Sequence, residues 1–212
     1  MDMIGSDSIA ILPTASISIR NRDVEFPFRP DSDFFYLTGY PEPEAVVVLI
    51  PDREEGECIL FCRERDEKME AWHGRRSGLE GAIKIYAADD AFPIEDMDDI
   101  LPGLIEGHER IYYNMGSDQN FDQRVLGWVN QIRDKVRTGV TAPDEFISLN
   151  HFLHEMRLYK SRYEIKLMRK AAEISTKAHK RAMKNCRPGM YEYQLEGELI
   201  SEFIQNGARY TA

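Results

Sequence analysis

A chain of 212 residues that is 42% hydrophobic and 30% charged is long enough for one complete hydrophobic core and part of a second. The longest apolar run, Ala45–Ile50, is far shorter than the about 20 residues of a membrane-spanning helix, and no secretory leader pattern is visible near the amino end. Three cysteines, Cys58, Cys62 and Cys186, are too few and too unevenly spaced for a disulfide framework. We therefore expect a cytoplasmic protein with reduced thiols, no membrane partner, and one domain followed by part of another.

The net charge of −10 is unevenly distributed along the chain. Between residues 160 and 187, ten Lys or Arg residues stand against only Glu164 and Glu173, so this segment carries +8 and the remainder −18. An acidic surface repels the phosphate backbone of nucleic acids. The basic segment has the apolar periodicity of an amphipathic helix, which favours a solvated helix face over a nucleic-acid arm. We exclude nucleic acid as the main partner.

The first half of the chain predicts a sheet with helices packed on it. Apolar and β-branched runs predict six strands: Ser8–Leu12, Phe34–Leu37, Ala45–Ile50, Cys58–Arg63, Ile83–Tyr86 and Arg110–Tyr113. Helical patterns cover residues 93–107 and 118–136 and alternate with several of these strands. The alternation predicts an α/β domain that ends near residue 150.

The second half predicts a long helix that begins after Ser161. Ser161 and Glu164 form a capping-box signature, because the serine hydroxyl can accept a backbone N–H at the helix start while the glutamate reaches back to another. An apolar stripe with spacings of three and four follows, and Pro188-Gly189 lies beyond the predicted end. The stripe consists of Leu167, Ala171, Ile174, Ala178 and Ala182.

A second helix is predicted from about Met190 to Asn206, with Gly207 as its stop. Its apolar side consists of Leu195, Leu199, Ile200, Phe203 and Ile204. Only residues 208–212 follow, which are too few to form a sheet that could cover both helices. Each large apolar side chain left exposed forfeits roughly 1.5–3 kcal/mol of burial. We therefore expect the chain to be truncated at its carboxyl end.

The histidines do not form a recognisable metal site. Only His151 and His154, followed by Glu155, are crowded in the manner of ligands, but their order is neither HExxH nor HxxEH. Histidines at the boundary of a core are the favoured interpretation, and His179 is interpreted as a surface or packing residue of the long helix. The sequence has no GxSxG motif and no cysteine with a base nearby, so it gives no sign of nucleophilic catalysis. We therefore assign no catalytic residue and no metal ligand to this chain.

Two segments have a composition that suggests a functional role. Residues 26–40 hold six aromatic residues interleaved with Arg29, Asp31 and Asp33. This segment is either a turn leading into a buried edge strand or a ligand-facing surface, and its composition alone leaves both open. Residues 72–76 place Trp72 beside two arginines in a predicted loop, which is the composition of a contact hot spot, although scattered basic surface residues are the plainer alternative.

Four motifs follow one another along most of the chain: FPFRPDSDFFYLTGYPEPEAVVVLI, AWHGRRSG, HEMRLYKSRYEIKLMRKAAEISTKAH and CRPGMYEYQLEGEL. Together they resemble the aminopeptidase P family, which releases the first residue from peptides that have proline second. The resemblance implies an amino-terminal mixed sheet flanked by helices over residues 1–155. Residues 156–212 would then be a linker and the first two helices of an incomplete "pita-bread" α+β peptidase domain.

The resemblance also implies a mechanism and a set of partners. Members use two metal ions, commonly Mn²⁺, which lower the pKa of a bridging water and polarise the scissile carbonyl. Their metal ligands lie beyond the point that matches Tyr210, so we expect no metal bound by this chain and no activity from it alone. In oligomeric members, the tryptophan that matches Trp72 reaches a neighbouring subunit's active-site cleft, and the acidic residue that matches Asp23 lies near it. The implied roles are substrate-pocket residues acting in trans within a homo-oligomer.

Two alternatives to this interpretation stay open. Within the same creatinase and prolidase superfamily, the chain could resemble a prolidase. Outside enzymes, it could be a non-catalytic binding or oligomerisation module, in which the helices of residues 160–206 bury their apolar faces against a partner or a second copy. The amino end departs from the family, since relatives usually carry an additional helix before the segment that matches Ile9–Leu12.

Overall fold

The computed structural model describes Met1 and residues 3–209, and the chain divides into two compact units, Met1–His154 and Glu155–Ala212. The strands are β1 (Ser8–Pro13), β2 (Ile19–Asn21), β3 (Val24–Glu25), β4 (Val46–Leu49), β5 (Cys58–Cys62), β6 (Asp90–Pro93), β7 (Arg110–Tyr112) and β8 (Glu145–Ile147). The helices are α1 (Ser32–Thr38), α2 (Glu67–His73), α3 (Gly78–Lys84), α4 (Met97–Ile105), α5 (Gln119–Asp134), α6 (Asn150–Leu158), α7 (Arg162–Asn185) and α8 (Glu192–Gln205).

The first unit is built on a six-stranded mixed sheet in the order β6-β5-β4-β1-β7-β8. Strand β4 runs antiparallel to both of its neighbours, and every other adjacent pair is parallel. Strands β2 and β3 form a separate antiparallel hairpin. The mixed sheet flanked by helices that the resemblance implied is therefore confirmed.

Both faces of the sheet are covered, which explains why its central strands read as continuous apolar runs rather than as alternating ones. In β1, Ile9 and Ile11 point into a core that also contains residues of α4 and α5. Ala10 and Leu12 point the opposite way, into a second core that also contains Phe34 of α1 and residues of α3 and α6. Because successive side chains of a strand alternate between faces, one apolar run supplies both cores.

Two predicted strands are wrong. Residues Phe34–Leu37 lie in helix α1, because the Asp31 side chain accepts the N–H groups of Asp33 and Phe34 at the helix start. Gly39 ends the helix with a φ of 65°, a left-handed conformation that glycine adopts without steric cost. Local capping thus overrides the β-propensity of the aromatic residues.

The second wrong prediction is the strand at Ile83–Tyr86. These residues cover the end of α3, and the edge strand of the sheet comes later, at β6. Strand β6 pairs with β5 although its sequence, DAFP, carries little apolar periodicity. The strand β8 and the hairpin strands were not predicted because each has only two or three residues, too few to show a period.

The second unit contains the two predicted helices. The capping box is confirmed: Ser161 accepts the N–H of Glu164 at 3.2 Å, and the Glu164 carboxylate accepts the N–H of Ser161 at 2.7 Å. Helices α7 and α8 are joined by Arg181, whose Nε lies 2.5 Å from Glu198 and whose Nη1 lies 3.2 Å from Glu202. Within Met1 and residues 3–209, no helix combines the length and the apolar character that crossing a membrane requires.

Candidate functional site

Trp72 lies in the last turn of the short helix α2, so the loop predicted around it is wrong for Trp72 and His73 and correct for the residues that follow. The helix begins because the Asp66 side chain accepts the N–H groups of Lys68 and Met69. It ends at Gly74, which has a φ of 86°. No residue of α2 is buried, and Trp72 is 85% exposed. The helix therefore presents a large aromatic side chain to its surroundings without packing any side chain into the core.

Polar contacts hold this helix against the rest of the unit. Arg65 makes a bidentate interaction with the Glu70 carboxylate: Nε donates to Oε1 at 3.0 Å and Nη2 donates to Oε2 at 3.1 Å. This hydrogen bonding lowers the pKa of Glu70, and the backbone N–H of Arg76 adds to the effect. Beyond the helix, Nη1 of Arg76 donates to the carbonyl oxygen of Glu64 at 3.3 Å. Charged hydrogen bonds of this kind fix geometry better than solvated ion pairs do.

A buried polar cluster, which we call the Glu42 cluster, lies at the end of β5 and consists of Tyr40, Glu42, Cys62 and Arg63. The Glu42 carboxylate is 13% exposed, and its Oε2 lies 3.7 Å from Nη2 of Arg63, which is 12% exposed. Its Oε1 accepts the backbone N–H of Ser77 at 2.7 Å. Through Ser77, the cluster is joined directly to the end of the segment that carries Trp72.

Burial dominates the chemistry of the Glu42 cluster. It raises the pKa of the Tyr40 hydroxyl, with further contributions from Cys62 and Glu42, and it raises the pKa of Cys62 to about 11. Within the described part of the chain, the Tyr40 hydroxyl, Oε2 of Glu42 and Nε of Arg63 make no hydrogen bond of ordinary geometry. Buried polar groups with so few partners tolerate little change in their positions.

Asp23 lies in the β2–β3 hairpin, separate from the helix that carries Trp72. It occupies the exposed turn between β2 and β3, next to Arg22 with its φ of 50°. Every residue of this hairpin is exposed. Neither Asp23 nor Trp72 makes a side-chain hydrogen bond, ion pair or ring contact with any other residue described in this structure. The two predicted pocket residues are therefore both accessible, and they are not in contact with each other.

A cavity of about 650 Å³ opens where β1 and β7 end. Several of its polar lining residues already have partners: Asn114 Nδ2 donates to Oδ1 of Asn150 at 2.6 Å, and the Tyr113 hydroxyl donates to Asp122, outside the cavity, at 2.7 Å. Asp31 caps α1 and Asp118 caps α5. The carboxylates of Asp31 and Asp118 therefore serve the fold, and we assign no chemistry to this cavity.

The described histidines are not assembled into a metal site. His151 packs edge-on against Phe152 with ring centroids 5.6 Å apart, and Nδ1 of His179 donates to the Ser175 carbonyl at 2.9 Å. Among Met1 and residues 3–209, no group of three or more His, Cys, Asp or Glu side chains could hold a metal ion. These residues do not supply the donors of a two-metal centre. Tyr210, beyond which the resemblance places the ligands, lies outside the described residues.

Comparison with known proteins identifies the family. Residues 1–112 match the family described as "Aminopeptidase P, N-terminal domain". The chain belongs to the aminopeptidase P family. Residues 166–212 match a second family, "Metallopeptidase family M24". Both predicted parts of an aminopeptidase P sequence are thus present, in the predicted order.

Relatives within the aminopeptidase P family are similar along almost the whole chain. The Xaa-Pro aminopeptidase of Escherichia coli is 42% identical over 96% of this chain and 46% of its own length. That of Haemophilus influenzae is 34% identical over 90% of this chain and 42% of its own. The chain therefore spans about half the length of the curated relatives that it matches.

Solved structures of the family share the fold. Aminopeptidase PepP of Pseudomonas aeruginosa is 59% identical, with a TM-score of 0.95 over 97% of this chain and 47% of that protein. Proline aminopeptidase P II of Yersinia pestis is 42% identical, with a TM-score of 0.93 over 98% of this chain and 48% of that protein. The predicted fold class and family are both confirmed.

The Glu42 cluster is a structural feature that the sequence patterns did not predict. Its visible signal was a glutamate in the Pro-Glu-Pro-Glu run before a strongly apolar strand, a place where a charge must either reach solvent or find a partner. The partner is a backbone N–H 35 residues further along the chain. No local pattern predicts such a contact.

Proposed function

We propose that this chain works as part of an Xaa-Pro aminopeptidase, in which it shapes the entrance to the active site and the subunit contacts. Residues 1–155 would be the amino-terminal domain, and residues 156–212 the linker and first helices of the pita-bread peptidase domain. The observation that carries the proposal is Trp72, an 85% exposed indole at the end of a helix that packs no apolar side chain into the core. An exposed tryptophan on a polar-anchored helix is suited to fill a pocket of another molecule.

In this proposal Trp72 and Asp23 act in trans, at the active-site cleft of a neighbouring subunit of a homo-oligomer. The indole would limit the space beyond the first residue of the peptide. The Asp23 carboxylate would attract the free amino group of a correctly placed substrate. Both effects favour peptides with a short, free amino end and proline in second position.

The metal centre in this proposal holds two Mn²⁺ ions, which would activate the attacking water. The described residues do not provide its donor set, so the ions would be held by residues outside positions 1 and 3–209. We also propose a cytoplasmic location. The unpaired state of Cys58, Cys62 and Cys186 is what a reducing compartment maintains.

A turnover measurement tests the proposal. The protein translated from its complete reading frame is expected to hydrolyse an Xaa-Pro dipeptide when supplied with Mn²⁺, whereas the 212-residue chain alone is expected to show no hydrolysis. Hydrolysis of dipeptides alone, with no cleavage of longer Xaa-Pro peptides, would instead favour a prolidase. Turnover by the 212-residue chain would contradict the placement of the metal ligands.

A non-catalytic module is a second candidate, because α7 and α8 leave apolar side chains exposed. Leu167, Met168 and Ile204 are each more than half exposed. Light scattering coupled to size exclusion discriminates the two functions in part. A specific oligomer of the 212-residue chain that dissociates when Leu167 and Met168 are changed to Ser would favour the module, and a monomer would count against it.

A further inference from the structure

The position of Trp72 depends on polar contacts at both ends of its helix. No residue of α2 is fully buried, so hydrophobic packing does not fix the helix against the sheet. The Glu70 side chain is 13% exposed, and its partners, Arg65 and the N–H of Arg76, belong to the same short segment. Ser77 is the first point after Trp72 at which the backbone is tied to a largely buried side chain from outside that segment.

The side chain to which Ser77 is tied cannot move easily. Oε1 of Glu42 receives the Ser77 N–H at 2.7 Å, while Oε2 faces Arg63 at 3.7 Å and the buried Tyr40 hydroxyl lies beside the carboxylate. A carboxylate with so little exposure is costly to bury unless such partners stay in place. The Glu42 cluster, formed by the loop before β4 and the end of β5, is therefore an anchor for the segment that carries Trp72.

We infer that Glu42 is a positioning residue for Trp72: its hydrogen bond to Ser77 holds segment 66–77 so that the indole projects at a defined place. The expected effect on substrate-length dependence rests on the proposed function of Trp72. The expected effect on local opening of segment 66–77 does not. Loss of the hydrogen bond lets the segment open locally without unfolding the sheet, because local opening is governed by the contacts of the segment itself.

Limited proteolysis tests the structural part. Trypsin cuts after the exposed Arg75, and the rate at this bond follows the population of the opened segment. Glu42→Ala is expected to speed this cleavage about tenfold, in line with the loss of one hydrogen bond to a charged group. Glu42→Gln keeps an oxygen acceptor for Ser77 and is expected to remain within about twofold of the wild type. The matched control is Glu44→Ala, which removes the exposed partner of Arg63 and leaves Ser77 bound.

A second variant covers the case in which Glu42→Ala does not fold. Ser77→Pro removes the donor instead of the acceptor, and the φ of −69° at Ser77 suits proline. It is expected to speed cleavage after Arg75 as Glu42→Ala does, with no further increase in the double variant. Equal rates for Ser77→Pro and Glu44→Ala, or a Glu42→Gln rate as fast as that of Glu42→Ala where the latter folds, would overturn the inference.

The enzymatic part uses the protein translated from its complete reading frame. Glu42→Ala is expected to weaken the dependence of kcat/KM on substrate length in the same direction as Trp72→Ala, and Glu42→Gln is expected to restore it. If cleavage after Arg75 responds as described but Trp72→Ala leaves the length dependence unchanged, the proposed function of Trp72 fails and the positioning role stands. If Trp72→Ala acts and Glu42→Ala does not, the positioning role fails.

Discussion

Gly78 lies against the side chain of Arg65, so closely that a Cβ on the glycine would sit 2.6 Å from the arginine Cγ. Gly78 also has a φ of 63°, which side chains rarely adopt. Gly78→Ala is therefore expected to lower the free energy of unfolding by about 1–2 kcal/mol through backbone strain. Urea unfolding, monitored by the fluorescence of the buried Trp128, measures this change in the free energy of unfolding.

Gly103 provides the opposite control. It lies inside α4, and a Cβ there would meet nothing within 4 Å. Gly103→Ala is expected to stabilise the unit by about 0.5–1 kcal/mol, because alanine loses less backbone entropy on folding. A Gly78→Ala variant as stable as Gly103→Ala would show that the backbone at residue 78 is not strained.

The ion pair of Arg65 and Glu70 predicts a pH dependence for the helix that carries Trp72. The hydrogen bond from Arg65 holds the pKa of Glu70 below its ordinary value of 4.5. A depressed pKa contributes stability that is complete above the ordinary value and is lost as the pH falls through the lowered one. Fluorescence anisotropy of Trp72 is therefore expected to be constant at neutral pH and to fall below pH 4.5.

The matched variant for this titration is Arg65→Met, which keeps the length of the side chain and removes the guanidinium. Its anisotropy is expected to be low already at neutral pH and to change little on acidification. Trp128 is buried in both proteins, so its contribution to the signal is common to them. An acid transition of equal size in Arg65→Met would mean that another group controls the helix.

The start of α7 depends on the Ser161 cap. Ser161→Ala removes the acceptor of the Glu164 N–H and is expected to destabilise the first turn by about 1 kcal/mol. Amide hydrogen exchange at the start of the helix should accelerate accordingly. Ser175→Ala, in the middle of the same helix, is the control and is expected to leave exchange at the first turn unchanged. Equal protection of the first turn in both variants would contradict the role of the cap.

The cysteines are expected to differ in reactivity. Burial raises the pKa of Cys58 and of Cys62 to about 11 each. At pH 8 only about one such thiol in a thousand is ionised. Since the thiolate is the nucleophile, iodoacetamide should modify the exposed Cys186 first. Peptide mass spectrometry of Cys186→Ser, in which rapid labelling should disappear, checks the assignment, and rapid labelling of Cys62 would contradict its burial.

Sequence patterns predicted the elements whose signals are local. The apolar run of β1 and the Ser161–Glu164 capping box each depend on residues within a few positions of one another, and both were predicted correctly. The strand predicted at Phe34–Leu37 was wrong, because the Asp31 cap overrides the β-propensity of these aromatic residues. Here both signals were local, and the capping signal decided the conformation.

The arrangement around Trp72 was beyond such reasoning for a different reason. Trp72 was singled out by composition and family resemblance, and its role stays a prediction. The contact of Glu42 with Ser77, 35 residues apart, had no signal in the sequence. Such contacts are set by the order of strands in the sheet, which places the segment before β4 beside the end of β5. A single sequence carries little information on that order.

The central claim is that Trp72 restricts the substrate's amino end, and one comparison of specificity tests it. In the protein translated from its complete reading frame, kcat/KM is measured for an Xaa-Pro peptide and for the same peptide extended by one amino-terminal residue. Trp72→Ala is expected to reduce the preference for the unextended peptide by about tenfold, while Ile85→Ala, which alters another exposed apolar side chain (70% exposed), leaves it unchanged. The same preference in the wild type and in Trp72→Ala would contradict the account.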